Sequence, residues 1–211
     1  MFASLLRMAT KYGFSDLREQ LVEELKGAYP TEWLDFETSK VLGENVFGSP
    51  KPHPNSALNL FVAQNIRFAI PFAYYRASTG GLSALMSDRP GTVLPRHTLA
   101  NAIYGMGVLQ RIMPTTARTI AFVMNLVVCT ERTCILSAGV TPQERRIEAL
   151  GRLSDVMYGE GEDGVLSVPS LVGVTCLRCT KPLEAWQAEC RSACWEKLPT
   201  AFAVAESWDE V

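Results

Sequence analysis

Cysteine is the residue type in this chain with the clearest potential for chemistry. Four of its six cysteines, Cys176, Cys179, Cys190 and Cys194, fall in one C-terminal stretch. The first pair has the C-x2-C spacing of zinc knuckles. The second pair, four residues apart, would put both thiols on the same side of a helix. Four thiolates can hold Zn²⁺ tetrahedrally, so a zinc-stabilised module that uses these four residues is one hypothesis.

The same stretch also fits a helix that uses cysteine as core filler. Cysteine is often fully buried and packs as a small apolar residue. The stretch lacks the glycine-rich knuckle usual in zinc modules, and the second pair does not repeat the first. A disulfide is a third alternative. We prefer the packing interpretation, which assigns no metal ligand and no cofactor. In this interpretation the cysteines belong to one apolar face of the helix, formed by Leu183, Trp186, Cys190, Cys194 and Leu198.

The other residues with reactive side chains form no recognisable catalytic or binding motif. Cys129 and Cys134 flank the sequence TERT, and we interpret them as bracketing a turn. His53 and His97 fall in proline-containing loops far apart in the chain, which favours solvated side chains over catalytic ones. The chain contains no G-x-S-x-G, P-loop or G-x-G-x-x-G motif. We therefore predict no catalytic residue and expect that the protein is not an enzyme.

Composition and charge exclude several classes of protein. The chain has 211 residues, 47% of them apolar and 20% charged, which is ordinary for a globular protein. Its net charge of -2 gives no basic footprint for nucleic acid. The most apolar run, Ile120 to Cys129, is shorter than the roughly 20 residues of a membrane helix. The N-terminus does not resemble a signal peptide, so we expect an intracellular protein, cytoplasmic or nuclear, with reduced cysteines.

Helical patterns follow one another along most of the chain. Apolar residues recur at helical spacing, and glycine and proline punctuate the segments. Thr141, Pro142 and Glu144 have the types and spacing of a helix start with a capping box. These patterns predict an all-α, irregular multi-helix domain with few or no strands.

We divide the chain into N-terminal helices at 1–42, a proline-rich loop at 43–54 and a helical C-terminal region at 55–211, the last forming one continuous domain with 1–42. The predicted core includes Leu17, Leu21, Leu25, Leu58, Phe61, Leu150, Trp186 and Leu198.

Several loose motifs, in order, resemble one known group of proteins. The opening LLRMATKYGFSDLREQLVEELKGAYPTEW is similar to the segment that follows the BTB/POZ domain in fungal, basidiomycete-type BTB proteins. PKPHPNSALNLFVAQNI, IPFAYYRAS and the closing W-x3-C-x3-C-W-x2-LP-x2-F continue the resemblance over nearly the whole chain. The BTB fold itself, which would precede Leu5, is absent, so we expect a truncated product or a fragment.

The resemblance implies a BACK-like helical region that supports or positions other parts. It carries no catalytic residue. It implies a non-enzymatic protein-interaction or scaffold domain, with an unidentified protein partner or self-association. The net charge and the short apolar run predict that neither nucleic acid nor a membrane is a ligand. The zinc-stabilised regulatory module built on Cys176, Cys179, Cys190 and Cys194 is the alternative function.

Overall fold

The computed structural model describes residues 2–39, 53–126 and 176–211, together with 129–130, 134, 141, 143–144 and 166. Within these ranges the chain is almost entirely helical, which confirms the prediction of an all-α fold. The helices are α1 (Phe2–Tyr12), α2 (Ser15–Ala28), α3 (Trp33–Ser39), α4 (Pro54–Gln64), α5 (Ile70–Thr79), α6 (Gly81–Leu85), α7 (Arg96–Leu126), α8 (Leu177–Trp195) and α9 (Leu198–Ala201). Single 3₁₀ turns occur at Arg67–Ala69 and Trp208–Glu210.

Two compact units make up the chain. The first contains Met1–Met106 and Glu196–Val211, and the second contains Gly107–Trp195. In the first unit α4 packs against α5, and α1 packs against α2. The predicted segment boundaries at 43–54 stay a prediction, since most of that loop lies outside the described residues.

Aromatic rings form much of the core of the first unit. The Tyr29 ring lies edge-on to Phe61, with centroids 4.6 Å apart, and Phe72 packs edge-on against both Tyr29 and Phe36. Such edge-to-face pairs add to the hydrophobic gain from burial. The same burial raises the pKa of Tyr29 to about 12, although Arg76 opposes the rise. Tyr29 is therefore harder to ionise than a solvent-exposed tyrosine.

Most of the predicted core residues that can be compared are buried. The buried side chains are Leu21, Leu25, Leu58, Phe61 and Leu198. Leu17, in the first turn of α2, is only half-buried. The side chains of Leu150 and Trp186 lie outside the described residues.

Helix α7 differs from the sequence-based expectation. The sequence pattern predicts that Pro114 separates a glycine-weakened helix from an apolar segment that begins at Thr119. The structure instead has one helix of 31 residues that continues through Pro114 to Leu126. A proline inside a helix removes one backbone hydrogen bond at a cost of about 3 kcal/mol, which the rest of a long helix can offset.

Of two predicted helix starts, the structure contradicts one and confirms the other. The pattern predicts Ser15 as an N-cap, but Ser15 is the first residue of α2, and Phe14 occupies the cap position without a side-chain cap bond. The capping box at Thr141 is confirmed. The Thr141 amide donates to Glu144 Oε2 at 2.8 Å, and the Glu144 amide donates to Thr141 Oγ1 at 3.2 Å.

Candidate metal centre

The start of α8 positions two cysteines for chemistry. Cys176 directly precedes the helix, and Cys179 lies in its first turn. The amides of Cys179 and Thr180 both donate to the Cys176 carbonyl oxygen at 2.9 Å, which fixes this first turn. Cys176 thus occupies the cap position of a 19-residue helix, where free N–H groups favour negative charge.

The segment after α7 supplies two more cysteines. Cys129 follows the last residue of α7, Leu126, by three positions, and Cys134 follows five residues later. Both side chains are buried, as is Cys179, whereas Cys176 is half-buried. The second unit therefore brings together two cysteine pairs that lie more than forty residues apart in sequence.

The four sulfur atoms form a compact group. The Sγ atoms of Cys129, Cys134, Cys176 and Cys179 all lie within 4.8 Å of one another. Cys129 Sγ and Cys176 Sγ are 3.5 Å apart, and the Cys176 amide donates to Cys134 Sγ at 3.4 Å. A Zn–S bond is about 2.3 Å, so neighbouring sulfurs of a regular ZnS₄ tetrahedron lie about 3.8 Å apart. The group needs only small adjustments to enclose a single ion.

Helix geometry lowers the pKa of one thiol in this group. The backbone N–H of Cys179, directed at the Cys176 sulfur, lowers the pKa of the Cys176 thiol to about 7. Hydrogen bonds from the Cys129 and Cys179 thiols and from the Arg178 amide act in the same direction. Metals bind the thiolate form, and the lowered pKa makes the thiolate of Cys176 available as a ligand near neutral pH.

Cys179 is shifted the opposite way. Its burial raises the pKa of the thiol, and hydrogen bonds with the sulfurs of Cys129, Cys176 and Cys134 raise the pKa further. Four thiols in contact cannot all ionise without a compensating cation, because their negative charges repel one another. A bound divalent cation would reverse this balance and hold all four as thiolates.

The structure does not join the two pairs that the sequence suggests as a zinc site. Cys179 and Cys190 lie on the same continuous helix α8, eleven residues apart. At about 1.5 Å rise per residue they are separated by roughly 16 Å along the axis, too far to share one ion. Cys176 and Cys179 instead meet Cys129 and Cys134, the two residues expected from sequence only to bracket a turn.

Cys194, from the second cysteine pair of α8, is not among the four residues of the group. Cys194 is buried, which agrees with its interpretation as a packing residue, and the side chain of Cys190 lies outside the described residues. The C-x4-C spacing of Cys129 and Cys134 is the sequence signal that could have indicated the second half of the site.

Neither histidine takes part in the cysteine group. His53 precedes α4, where its Nδ1 accepts a hydrogen bond from the Asn55 amide at 3.2 Å. His97 lies exposed in the first turn of α7. His53 therefore has a structural role as a helix cap, one that its position before Pro54 and Asn55 could have suggested.

Comparisons with known proteins identify no relative of this chain. No protein family, no curated protein and no solved structure matches it. Within the described residues, every helix is too short or too polar to cross a membrane.

Proposed function

We propose that the protein is a non-enzymatic helical module stabilised by one structural Zn²⁺, held by Cys129, Cys134, Cys176 and Cys179. The observation that carries this proposal is the convergence of these four sulfurs within 4.8 Å of one another, from two separate parts of the chain. Four cysteine ligands fill the tetrahedral coordination of zinc. They leave no open position for a substrate or a reactive water, as expected of a structural rather than a catalytic zinc.

The donor set selects the kind of metal. Thiolates are soft ligands that favour Zn²⁺ over Mg²⁺ or Ca²⁺, which prefer oxygen. Iron–sulfur clusters also use four cysteines, but they contain several iron and sulfide ions between the thiolates. Sulfurs already as close as the 3.5 Å between Cys129 and Cys176 fit a single ion better.

The position of the site supports a structural role. A zinc ion there would join the segment after α7 to the first turn of α8, closing a loop between residues 47 positions apart. Cross-links that close long loops reduce the entropy of the unfolded chain. Metal binding and folding of the second unit are therefore coupled.

Alanine variants of the ligands, compared with matched variants of the other two cysteines, test this proposal. Protein purified under reducing conditions with zinc supplied should contain one zinc ion per chain. Cys129→Ala and Cys134→Ala should lose the zinc, whereas Cys190→Ala and Cys194→Ala should retain it. Metal content by mass spectrometry, with circular dichroism before and after chelation, provides the measurement. A metal-free wild type, or zinc lost from Cys190→Ala and kept by Cys129→Ala, would refute the proposed ligand set.

A second candidate function, protein interaction, is supported by the first unit. Met8, Tyr12 and Phe14 are each at least half exposed, and the Tyr12 and Phe14 rings are 6.3 Å apart. Exposed apolar groups that cluster in this way are typical of contact surfaces. A scaffold role in an intracellular protein of the fungal BTB/POZ type, as the sequence resemblance implies, belongs to this proposal.

Self-association is the form of this interaction that can be tested without a known partner. Sedimentation velocity over a range of concentrations should show association of the wild type, weakened in a Tyr12→Ser/Phe14→Ser variant. Val93→Ser is the control, because Val93 is similarly exposed and lies in a different segment. A wild type that stays monomeric at every concentration would contradict self-association through this surface.

A further inference from the structure

The four cysteines differ in their access to solvent. Cys176 is half-buried, whereas Cys129, Cys134 and Cys179 are buried. Cys176 is therefore the residue of the four that is most accessible to a small oxidant in solution. A thiol in contact with that sulfur then determines the fate of the oxidised Cys176.

Cys129 is placed to react with an oxidised Cys176. The two sulfurs are 3.5 Å apart, and a disulfide bond is about 2.05 Å long. The two sulfurs must therefore approach by only about 1.5 Å, a movement within reach of side-chain rotation. The bond would link the chain after α7 directly to the start of α8.

We propose that this site is a redox switch, in which a hydroperoxide joins Cys129 and Cys176 in a disulfide and so releases the zinc ion. The inference rests on the proposed zinc site, because the release presupposes a bound ion. It adds a regulatory input to that site, with a peroxide as the chemical class of the signal.

The reaction balances in two steps. The Cys176 sulfur attacks the O–O bond of the hydroperoxide, takes one oxygen as a sulfenic acid and releases the other oxygen as water or an alcohol. The Cys129 sulfur then attacks the Cys176 sulfur and displaces hydroxide, which takes up a proton and leaves as water. Two electrons pass from the sulfur pair to the peroxide. The zinc ion loses two of its four ligands, and Cys134 and Cys179 alone hold it weakly.

Reduction reverses the switch. A dithiol attacks the Cys129–Cys176 disulfide, becomes oxidised to its own disulfide and returns both protein thiols. The four sulfurs can then rebind zinc. If no thiol were close to an oxidised Cys176, further peroxide would carry it to the irreversible sulfinic acid.

The experiment treats zinc-loaded, full-length protein with hydrogen peroxide and follows zinc release with a coloured chelator. Peptide mass mapping identifies the disulfide, and dithiothreitol is then added with fresh zinc. We expect release of the bound zinc, a Cys129–Cys176 disulfide, and recovery of zinc binding after reduction. Cys190→Ala should behave as the wild type does.

A ligand-conserving variant separates the switch from zinc binding itself. Cys129→His retains a side chain that can bind zinc but cannot form the disulfide. It should bind zinc, but peroxide should release that zinc more slowly than from the wild type, because the sulfur 3.5 Å from Cys176 is gone. Should this variant not fold, the mapping of the wild type decides alone.

A Cys176–Cys179 disulfide, or zinc release without any disulfide, would overturn the switch while leaving the zinc site intact. Zinc content measured before oxidation tests that site separately, and metal-free starting protein would refute both proposals.

Discussion

Replacing Gly105 by alanine should destabilise the first unit, although alanine favours helices. A Cβ atom at position 105 would overlap the ring of Phe202, at three of its atoms. That ring is fully buried and is stacked on Tyr74, with centroids 5.3 Å apart and planes 9° from parallel. The ring can therefore move away from position 105 only within a buried core in which Tyr74 lies against one of its faces.

The size of the effect follows from two opposing contributions. Gly→Ala in a helix interior stabilises by about 1 kcal/mol. Overpacking a closed core costs typically 1–3 kcal/mol, and the enclosed ring puts this site near the upper end, at about 3 kcal/mol. The net loss is then about 2 kcal/mol, which for a chain of this length lowers Tm by roughly 4–8 °C.

Gly107 is the matched control, two positions further along α7. A Cβ atom there meets no other atom within 4 Å, so Gly107→Ala should stabilise by about 1 kcal/mol. Thermal and urea unfolding, followed by far-ultraviolet circular dichroism, compares the two variants. The opposite signs are the essential result, because helix propensity alone predicts the same sign for both.

A double variant tests the contact itself. Phe202→Leu removes part of the ring, so the cost of Gly105→Ala should fall when it is measured in that background. If Gly105→Ala stabilised the protein as Gly107→Ala does, or if Phe202→Leu left its cost unchanged, the argument from the ring contact would be refuted.

Three further results are expected. Asn55→Ala should lower the free energy of unfolding in urea by about 1–3 kcal/mol, because the buried Asn55 Nδ2 donates to the carbonyls of Ala84 and Thr92 at 2.9 and 3.1 Å. Asn59→Ala removes an exposed hydrogen bond and should lower it less. Hydrogen bonds from Thr141 lower the pKa of Glu144. The stabilisation from this pair is therefore present above the pKa of the carboxyl group in the unfolded chain and is lost as the pH falls through its pKa in the folded protein. An NMR titration of Thr141→Ala should show a higher Glu144 pKa than in the wild type, and an unchanged pKa would contradict the hydrogen-bond assignment. Zinc should dissociate as the pH falls, because protons compete for the thiolates; metal content after dialysis at several pH values measures this, and zinc retained in strong acid would argue against thiolate ligands.

Local patterns predict much of the fold. The all-α architecture follows from apolar spacing and from glycine and proline punctuation, and the Thr141 capping box forms as its residue types indicate. Gly105 and Gly107 lie inside a helical pattern, which indicates close packing at both. The contact of position 105 with Phe202 agrees, whereas position 107 has no neighbour within 4 Å. These features depend on residues near in sequence or on the size of one side chain.

Local sequence patterns do not predict the ligand set of the candidate metal centre. Cys129 and Cys176 are 47 residues apart, and no periodicity relates the segment after α7 to the start of α8. The close pairs within the C-terminal stretch suggest one site there, but helix α8 holds those pairs apart. The C-x2-C pair is a correct local signal whose partners only the tertiary fold provides.

The position of residues 176–211 has a consequence for synthesis of the chain. Cys134 leaves the ribosome 42 residues ahead of Cys176, a delay of about 2–8 s at ordinary rates of translation. During that interval the first cysteine pair has no partners. Phe202, which fills the space beside Gly105, emerges later still. Both the cysteine group and the aromatic packing are therefore completed only once these residues have been made. A stop codon before Cys176 would remove Cys176, Cys179 and Phe202 together, and with them both sets of contacts.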